Sequence, residues 1–295
     1  MAAASIRCGF VGLGNMGAQL ANKLQGATAS AVRVWDMSAG AVQQHADTYG
    51  TAPTANLRDL GDCDVVSLCV PSLKQSREVC ATLVEDGGLA SGAVIIDHTS
   101  GDPLETRALS EFLLEHGVTY LDAPVSGGPA GAAAGTLACM VGHPQGANAT
   151  VDACVNAIAG KVVYLDTVGS GNAVKAVNNL LNSTHLIIAS QCMEALDTYG
   201  VDVSKAIEAI NGSSGRSLQT EVRIPVEVLQ GQYDYGFNLG LMHKDVRQCR
   251  GFLDAVLEAG PEERPWVAMT ESLFAAHPAP ETSDYTRVVE KFYKK

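Results

Sequence analysis

Short apolar runs alternate with amphipathic stretches along the first half of the chain. The apolar runs favour β-strands, and most of the stretches between them are long enough for a crossover helix. We predict strands at residues 6–11, 31–35, 65–70, 94–97, 119–123, 138–141 and 162–165. This alternation is typical of an α/β fold built on a doubly wound parallel sheet.

The strand pattern ends after Asp166, and helical patterns follow it. Residues 172–199 predict one long, largely apolar helix, which Gly200 ends in the position where a positive φ costs least. At 1.5 Å per residue this helix is roughly 40 Å long, enough to leave a first domain and form the spine of a second. Further helices are predicted at 203–210, 245–259 and 265–276. We therefore predict a sheet domain at 1–167 and an all-helical domain at 168–295.

A glycine-rich turn follows the first predicted strand and precedes a helical pattern at residues 18–24. The turn consists of Gly12, Leu13, Gly14, Asn15, Met16 and Gly17. In a strand–turn–helix context these glycines allow a tight turn, close approach of a pyrophosphate and close packing of the helix. We therefore predict that the first domain is a Rossmann-type dinucleotide-binding domain; a glycine-rich turn without a ligand is the alternative.

Further candidate cofactor residues follow the second, third and fourth predicted strands. Asp36 ends the second strand, where a carboxylate accepts from the adenosine ribose hydroxyls. A carboxylate there repels a 2′-phosphate, and strand alternation directs Arg33 away from it, so NAD is favoured over NADP. Val70, Pro71 and Thr99 lie at the sheet edge where such folds bind ligands, and we predict that they line the cofactor. A solvated strand end and ordinary loop chemistry are the alternatives.

Two other segments predict the chemistry of the substrate. Ser126, Gly127 and Gly128 follow the fifth predicted strand, and their backbone N–H groups and hydroxyl suit a carboxylate; a flexible turn is the alternative. Lys175 and Asn179 are one turn apart near the start of the long helix. A desolvated lysine can take the alcohol proton as hydride leaves for a nicotinamide; a solvated lysine is the alternative. Together these features predict a nicotinamide-dependent oxidoreductase of small hydroxy acids.

Composition limits which partners the protein is expected to bind and in which compartment it is expected to reside. The chain has 295 residues, of which 46% are hydrophobic and 18% charged, so it can bury a sizeable core. Its net charge of −12 disfavours nucleic-acid and anionic-membrane partners. The eight cysteines form no CxxC pair, so we expect reduced thiols, no metal and a cytoplasmic protein. No apolar run approaches a membrane span, and residues 1–5 leave no room for a targeting segment.

Four ordered segments resemble the β-hydroxyacid dehydrogenase family, to which the 3-hydroxyisobutyrate dehydrogenases belong, over essentially the full chain. They are Gly-Phe-Val-Gly-Leu-Gly-Asn-Met-Gly at 9–17, Asp-Ala-Pro-Val-Ser-Gly-Gly at 122–128, Gly-Asn-Ala-Val-Lys-Ala-Val-Asn-Asn at 171–179 and Phe-Asn-Leu-Gly-Leu-Met-His-Lys-Asp at 237–245. The resemblance implies that the substrate is bound by Ser126, Gly127 and Gly128 and oriented by Asn179. It implies that Lys175 is catalytic and that Phe237 and Lys244 line the nicotinamide side. It also implies a homodimer or homotetramer assembled through the helical domain.

Two departures from the family pattern leave the substrate more open than the reaction, which is oxidation of a β-hydroxy acid to its semialdehyde. Residues 97–100 read Asp-His-Thr-Ser where 3-hydroxyisobutyrate dehydrogenases commonly have Asp-Ser-Ser-Thr. Arg216 lies in a loop that resembles one in several bacterial members and is a candidate second cation for the substrate. The substrates left open are 3-hydroxyisobutyrate, 3-hydroxypropionate, tartronate semialdehyde, L-threonate and a larger 3-hydroxy acid. We interpret His98 as structural.

Two other functions remain as alternatives. A 6-phosphogluconate dehydrogenase is one, although that family resembles a longer chain and has a histidine where this chain has Asn178. A non-catalytic NAD(P)-binding module is the other, and the presence of Lys175 and the Ser126 segment disfavours it.

Overall fold

The computed structural model describes residues 6–86, 88–258 and 260–293, with the side chain of Pro261 left aside. It divides into two compact units, the first ending at Lys175 and the second beginning at Ala176. Residues 1–5, predicted to carry no targeting segment, and Ala259, the predicted end of a helix, lie outside the described residues. The domain boundary at 167/168 stays a prediction.

The first unit is built on a parallel sheet of six strands. In chain order they are β1 (Cys8–Val11), β2 (Arg33–Trp35), β3 (Ala52–Pro53), β4 (Val65–Leu68), β5 (Val94–Asp97) and β6 (Thr119–Asp122). They lie in the order β3-β2-β1-β4-β5-β6, and every neighbouring pair is parallel. The strand order reverses between β1 and β4, which is the point where doubly wound sheets bind their ligands. The predicted α/β, Rossmann-type fold is confirmed.

Helices cover both faces of this sheet. They are α1 (Gly17–Ala27), α2 (Ala39–Tyr49), α3 (Leu73–Ala81) and α4 (Pro103–Glu115), with a π-helical turn at Thr82–Asp86 and a 3₁₀ turn at Leu57–Leu60. Alternate strand residues enter opposite hydrophobic clusters: Phe10 and Ile96 pack on one face, Val11 and Ile95 on the other. Because both faces are buried, the strands are continuous apolar runs without polar alternation.

A second, smaller sheet corrects part of the strand prediction. It contains β7 (Val125–Ser126), β8 (Ala138–Val141) and β9 (Lys161–Tyr164), with β7 antiparallel to β8 and β8 parallel to β9. The predicted strands at 138–141 and 162–165 therefore do not join the doubly wound sheet. Helices α5 (Gly128–Ala134) and α6 (Ala149–Ile158) accompany this sheet in the chain. An apolar run indicates that a strand is present, but it does not indicate which strand lies beside it. The sequence therefore did not distinguish the two sheets.

The long predicted helix is present as α7 (Ser170–Tyr199), which has 30 residues and is followed by Gly200 at a φ of +94°. The other helices are α8 (Val203–Asn211), α9 (Leu239–Val256) and α10 (Pro265–Ala275), with a π-helical segment at Gln219–Val228 and 3₁₀ turns at Pro261–Glu263 and Tyr285–Val289. Helix α9 begins before the predicted 245 because the Asn238 side chain accepts the Leu241 N–H. None of the helices in the described residues is long and apolar enough to cross a membrane.

Asp122, at the end of β6, fixes the start of α7. Its side chain is fully buried. One carboxylate oxygen accepts the Gly169 N–H at 2.7 Å, and the other accepts the Asn172 N–H at 2.7 Å. A carboxylate at a helix N-terminus satisfies free N–H groups and interacts favourably with the helix dipole. A Cβ on Gly171 would lie 2.9 Å from the Asp122 carboxylate, so only glycine leaves room for this arrangement.

We predict that Asp122→Asn destabilises the first unit. Asparagine has an NH₂ group in place of one carboxylate oxygen, so one of the two backbone N–H groups would face a donor and lose its acceptor. A buried donor without an acceptor costs about 1–3 kcal/mol. Urea unfolding should show this loss in the free energy of unfolding. Asp102→Asn is the matched control, because Asp102 caps α4 through the Leu104 and Glu105 N–H groups and asparagine caps a helix equally well. Equal stability of Asp122→Asn and wild type would show that this carboxylate does not anchor α7.

Candidate active site

The turn after β1 requires its glycines for different structural reasons. Gly12 has a φ of +93°, and a Cβ on it would overlap the carbonyl oxygen of Cys69. A Cβ on Gly17 would overlap the carbonyl oxygen of Gly12, so the fold itself requires glycine at both positions. Gly14 is exposed, and a Cβ there would meet no atom within 4 Å. The space beside Gly14 is therefore open, as close approach of a pyrophosphate requires.

The N-terminus of α1 is suited to an anion. Helices α2, α3 and α4 each begin at a side chain that accepts a backbone N–H, whereas α1 begins at Met16 without a side-chain cap. Asn15, just before it, is exposed. The first N–H groups of a helix have no partner within the helix and carry partial positive charge, which a phosphate can satisfy. The residues present thus fit a dinucleotide cofactor.

Asp36 is tied to the glycine turn. One of its carboxylate oxygens accepts the Leu13 N–H at 2.7 Å, and the other accepts the Ser38 N–H at 2.8 Å. Arg33 instead donates to the side chain of Asp62 and to the carbonyl of Asp59. Asp36 therefore holds a defined position at the end of β2, with Arg33 engaged elsewhere, as strand alternation predicted.

Thr99 joins the loops that follow β4 and β5. Its side chain is buried, and its hydroxyl oxygen accepts the Val70 N–H at 3.1 Å. Its own N–H donates to the Asp97 carboxylate at 2.9 Å. Val70 is half-buried and Pro71 is exposed. Thr99 thus fixes the backbone of Val70 at the edge of the sheet where the cofactor residues were predicted.

The predicted substrate segment is a junction between a strand and a helix, where the sequence predicted a turn. Ser126 ends β7 and is paired with Ala138 of β8. Gly127 and Gly128 have φ values of +135° and +67°, and Gly128 begins α5. Side chains rarely adopt these conformations, so glycine is required at both positions. The two residues have no side chain to cover the backbone N–H groups beside the Ser126 hydroxyl.

Lys175 and Asn179 are both buried on α7, at 8% and 3% exposure. Burial of Lys175 excludes the solvated lysine that the sequence left as an alternative. The Asn179 amide nitrogen donates to the Asp245 carboxylate at 2.6 Å, and its carbonyl oxygen accepts from the Asn178 amide at 3.1 Å. These two hydrogen bonds fix the orientation of the Asn179 carboxamide.

Asp245 and Asn172 belong to motifs quoted above, but the sequence assigned neither of them a functional role. Asp245 is buried on α9, and one of its oxygens lies 3.2 Å from the Lys244 ammonium, so it links Lys244 with Asn179. The signal that could have found it is an acid among the buried residues Met242 and Val246.

Asn172 is the second residue of this kind, and it lies one turn before Lys175. Its carbonyl oxygen accepts the Gly101 N–H, and its amide donates to the Thr106 hydroxyl, both at 3.0 Å. Asn172 therefore ties the start of α7 to the loop that follows β5. The contacts cross about seventy residues of sequence, so no local pattern predicts them.

The remaining predicted residues lie in the second unit. Phe237 is half-buried, its ring packs edge-on against Tyr285 at 5.9 Å, and its N–H donates to Asp284 at 3.0 Å. Arg216 is exposed and lies 3.6 Å from the carboxylate of Glu221. The structure gives Arg216 a surface ion pair, and its contact with substrate stays a prediction.

The surroundings of His98 are those of a buried structural residue. It is buried, its Nδ1 lies 2.8 Å from the carbonyl oxygen of Ala123, and its Nε2 has no hydrogen-bond partner. Burial disfavours the charged ring and lowers the pKa of His98 to about 4. A ring with so low a pKa is uncharged at neutral pH and is a weak base, which fits the structural role predicted for His98.

The fold and the glycine turn define an NAD(P)-binding oxidoreductase with a helical second part. The family model for the NAD-binding domain of 6-phosphogluconate dehydrogenase matches residues 7–166. The model for the NAD-binding domain of NADP-dependent 3-hydroxyisobutyrate dehydrogenase matches residues 169–289. The chain belongs to the β-hydroxyacid dehydrogenase family, as its motifs predicted. None of the eight cysteines forms a disulfide, and no group of metal-binding side chains is found in the described ranges.

Relatives in this family differ in the acid named for each. The 2-(hydroxymethyl)glutarate dehydrogenase of Eubacterium barkeri is 31% identical over 92% of this chain and 88% of its own length. The L-threonate dehydrogenase of Cupriavidus necator is 36% identical over 76% of each chain. The 3-hydroxyisobutyrate dehydrogenase structure from Mycobacterium tuberculosis with L-serine has a TM-score of 0.88 and 25% identity, over 98% of this chain and all of that one.

We predict that His98 makes the protein less stable in mild acid. The unfolded ring takes up a proton as the pH falls through about 6.5, whereas the folded ring takes it up only near a pKa of about 4. Stability is therefore fully present above pH 6.5 and is lost as the pH falls toward 4, by on the order of 3 kcal/mol.

The measurement is urea unfolding between pH 4 and 7, with His98→Asn as the comparison because asparagine can still donate to Ala123. The difference between the two proteins isolates the histidine from Asp97, whose pKa burial raises. A difference that does not change with pH would mean that His98 is not kept neutral in the fold.

Proposed function

We propose that the protein reversibly oxidises a small β-hydroxy acid to its semialdehyde, with NAD as the hydride acceptor and Lys175 as general acid and base. The observation that carries this proposal is the burial of Lys175 one turn after Asn172 and one turn before Asn179. Lysine side chains are rarely buried, because the charged form loses hydration, so a buried lysine on this helix marks a special position. The family supplies the reaction type, since its named relatives are hydroxyacid dehydrogenases.

Lys175 moves the proton in this proposal. In the oxidation direction its neutral amine accepts the proton of the substrate hydroxyl, and in the reduction direction its ammonium returns that proton to the carbonyl oxygen. NAD, when bound, accepts the hydride from the carbon that carries the hydroxyl. The products are the semialdehyde, NADH and one proton. The hydrogen bonds of Asp122 and Asn172 fix the start of α7, and with it the face of the helix on which Lys175 lies.

The substrate carboxylate is assigned to Ser126, Gly127 and Gly128. The hydroxyl and the backbone N–H groups are neutral donors, which form strong, charge-assisted bonds with an anion. Neither glycine has a side chain that would block the approach, and their positive φ values turn the backbone at the start of α5. A helix N-terminus adds partial positive charge at the same place.

Asn179 orients the substrate, and Asp245 positions Asn179. One amide hydrogen of Asn179 is directed to Asp245, and its carbonyl oxygen is engaged by Asn178. The second amide hydrogen is the donor that this arrangement offers to the substrate. The carboxylate of Asp245 prevents the amide from turning over, because the turned amide would face it with an oxygen.

The cofactor is assigned to the glycine turn and the loops around it. Its pyrophosphate fits the turn formed by Gly12, Leu13, Gly14, Asn15, Met16 and Gly17. Asp36 is assigned to the adenosine ribose and favours NAD over NADP by repelling a 2′-phosphate. Val70, Pro71 and Thr99 line the cofactor in this proposal, and Phe237 and Lys244 lie on its nicotinamide side. We further propose a homodimer or homotetramer formed through the helical second part.

The purified protein should reduce NAD, measured by NADH absorbance, when mixed with 3-hydroxy acids such as 3-hydroxyisobutyrate, 3-hydroxypropionate, glycerate and L-threonate. Each lost charged contact costs about 1.5–3 kcal/mol, so replacing the carboxylate by its methyl ester should lower kcat/KM at least about tenfold. The kcat/KM with NAD should exceed that with NADP. Efficient oxidation of neutral alcohols would contradict the carboxylate assignment, and higher efficiency with NADP would contradict the role of Asp36.

Lys175→Met should lower kcat by about 10²- to 10⁴-fold, the usual contribution of general acid and base catalysis. NADH binding, followed by fluorescence titration, should stay near that of the wild type. Lys161→Met, on the exposed part of β9, is the matched control and should keep full activity. Turnover of Lys175→Met within tenfold of the wild type would remove the lysine from the mechanism.

A further inference from the structure

A cavity of about 270 Å³ lies in the second unit, between the end of α10 and the 3₁₀ turn at Tyr285–Val289. Its apolar lining comes from Leu273, Ala276, Pro278 and Val288. Val288 belongs to a hydrophobic cluster of this unit and Leu273 packs against that cluster, so the core holds both side chains in place. Small-molecule sites in proteins measure about 300–1,000 Å³, so a cavity of this size suits a ligand of a few carbon atoms.

The polar lining of this cavity has a charge opposite to that of the whole chain. It consists of Arg287, Lys291, Glu290 and His277. With histidine counted as neutral, two cations and one acid leave one net positive charge, whereas the chain carries −12. In a partly closed, apolar setting a local positive charge attracts an anion more strongly than it does in water. The charges of the lining therefore favour an anionic ligand.

Arg287 has hydrogen-bonding capacity that the described residues do not use. Its Nη1 donates to both carboxylate oxygens of Glu290, at 3.1 and 3.0 Å, and so compensates the one acid of the lining. Neither Nε nor Nη2 has a hydrogen-bond partner among the residues that the structure describes. The guanidinium carbon lies 5.5 Å from the centre of the Tyr233 ring, a cation–π contact that helps to orient the group. Nε and Nη2 form the guanidinium edge that can donate two parallel bonds to a carboxylate.

Lys291 and His277 add further donors to the lining. The Lys291 ammonium lies 4.9 Å from the centre of the Phe292 ring, and no acid of the described residues forms a salt bridge with it. The His277 Nδ1 accepts the Ala279 N–H at 3.2 Å, so the neutral ring carries its hydrogen on Nε2. The polar groups that the chain leaves available here are therefore N–H donors, which an anion can accept from.

The cavity shares no residue with the substrate and cofactor residues proposed above. The 3₁₀ turn that carries Arg287 and Val288 nevertheless holds Phe237 by two hydrogen bonds. The Tyr285 N–H donates to the Phe237 carbonyl at 2.8 Å, and Asp284, just before the turn, accepts the Phe237 N–H at 3.0 Å. A ligand in the cavity thus contacts the turn that positions Phe237.

We propose that this cavity binds a short aliphatic monocarboxylic acid. Its carboxylate accepts from the Nε and Nη2 of Arg287, with Lys291 as a second positive charge, and its hydrocarbon chain lies against Leu273 and Val288. The apolar lining favours such an acid over inorganic phosphate, which would lose hydration without burying apolar surface. This inference does not rest on the proposed function, because every residue in it belongs to the second unit and none takes part in the proposed reaction.

Calorimetric titration of the full chain with valerate, a five-carbon monocarboxylate, tests the site without turnover. Affinity should rise about three- to fourfold for each methylene from acetate to valerate, because each methylene buries apolar surface. Pentan-1-ol keeps the chain but has no charge, and it should bind at least about tenfold more weakly than valerate. In methyl NMR spectra, bound valerate should shift the signals of Leu273 and Val288.

Two pairs of variants separate the charge of the site from its space. Arg287→Gln should lower valerate affinity at least about tenfold, whereas Arg250→Gln should keep it. Arg250 is the matched control because it is an arginine of the same unit, also paired with an acid, with a side chain 39% exposed against 37% for Arg287. Ala276→Leu fills the cavity without changing a charge and should also weaken binding about tenfold. Ala275→Leu, at an exposed neighbour outside the lining, should not.

Four outcomes would overturn this inference. The first is absence of valerate binding at millimolar concentration. The second is valerate binding that persists in both Arg287→Gln and Ala276→Leu; if 3-hydroxyisobutyrate then displaces the valerate, the acid occupies the substrate site of the proposed function instead. The third is an equal loss in Arg250→Gln, which would indicate a general effect of charge. The fourth is tighter binding of inorganic phosphate than of valerate, which would mean that the apolar lining does not contribute.

Discussion

The buried carboxylate of Asp122 is the interaction on which the arrangement of α7 depends. It accepts the Gly169 and Asn172 N–H groups and so determines the residue at which the helix begins. Each residue of a helix turns by about 100°, so a shift of the start by one residue would carry Lys175 to another face. Gly171 leaves room for the carboxylate, since a Cβ there would press against it. Asp122, to which the sequence assigned no role in binding or catalysis, thereby sets the face of α7 on which the proposed acid and base lies.

Buried polar groups in this protein differ in whether the chain itself satisfies them. The carboxylate of Asp97 accepts from Thr99 and from Tyr120, and Asn179 has partners at both ends of its carboxamide. These groups stabilise one arrangement, because a satisfied network in a low-dielectric interior is costly to disturb. The Nε of Arg223 is buried without such a partner. A buried polar atom without a partner lacks this stabilisation.

Sequence predicted the elements whose residue types are imposed by the backbone. The glycine turn, the helix that ends at Gly200 and the buried strands of the main sheet all have local signatures, and the structure contains them. Strands β3 and β7 have two residues each, too few to produce a period. The π-helical segment contains Pro225, which interrupts the helical pattern. The bond between Asn179 and Asp245 was not predictable either, because it joins distant parts of the chain.

The same distinction explains why the reaction can be inferred more readily than the substrate. The residues assigned to cofactor and proton transfer lie at glycine turns and on a regular helix, where spacing restricts which side chains can meet. The candidate second cation for the substrate, Arg216, lies in a loop, where spacing restricts little. The structure pairs Arg216 with Glu221, a contact that the spacing of the sequence did not predict. A sequence pattern does not encode contacts of this kind, so it left the substrate more open than the reaction.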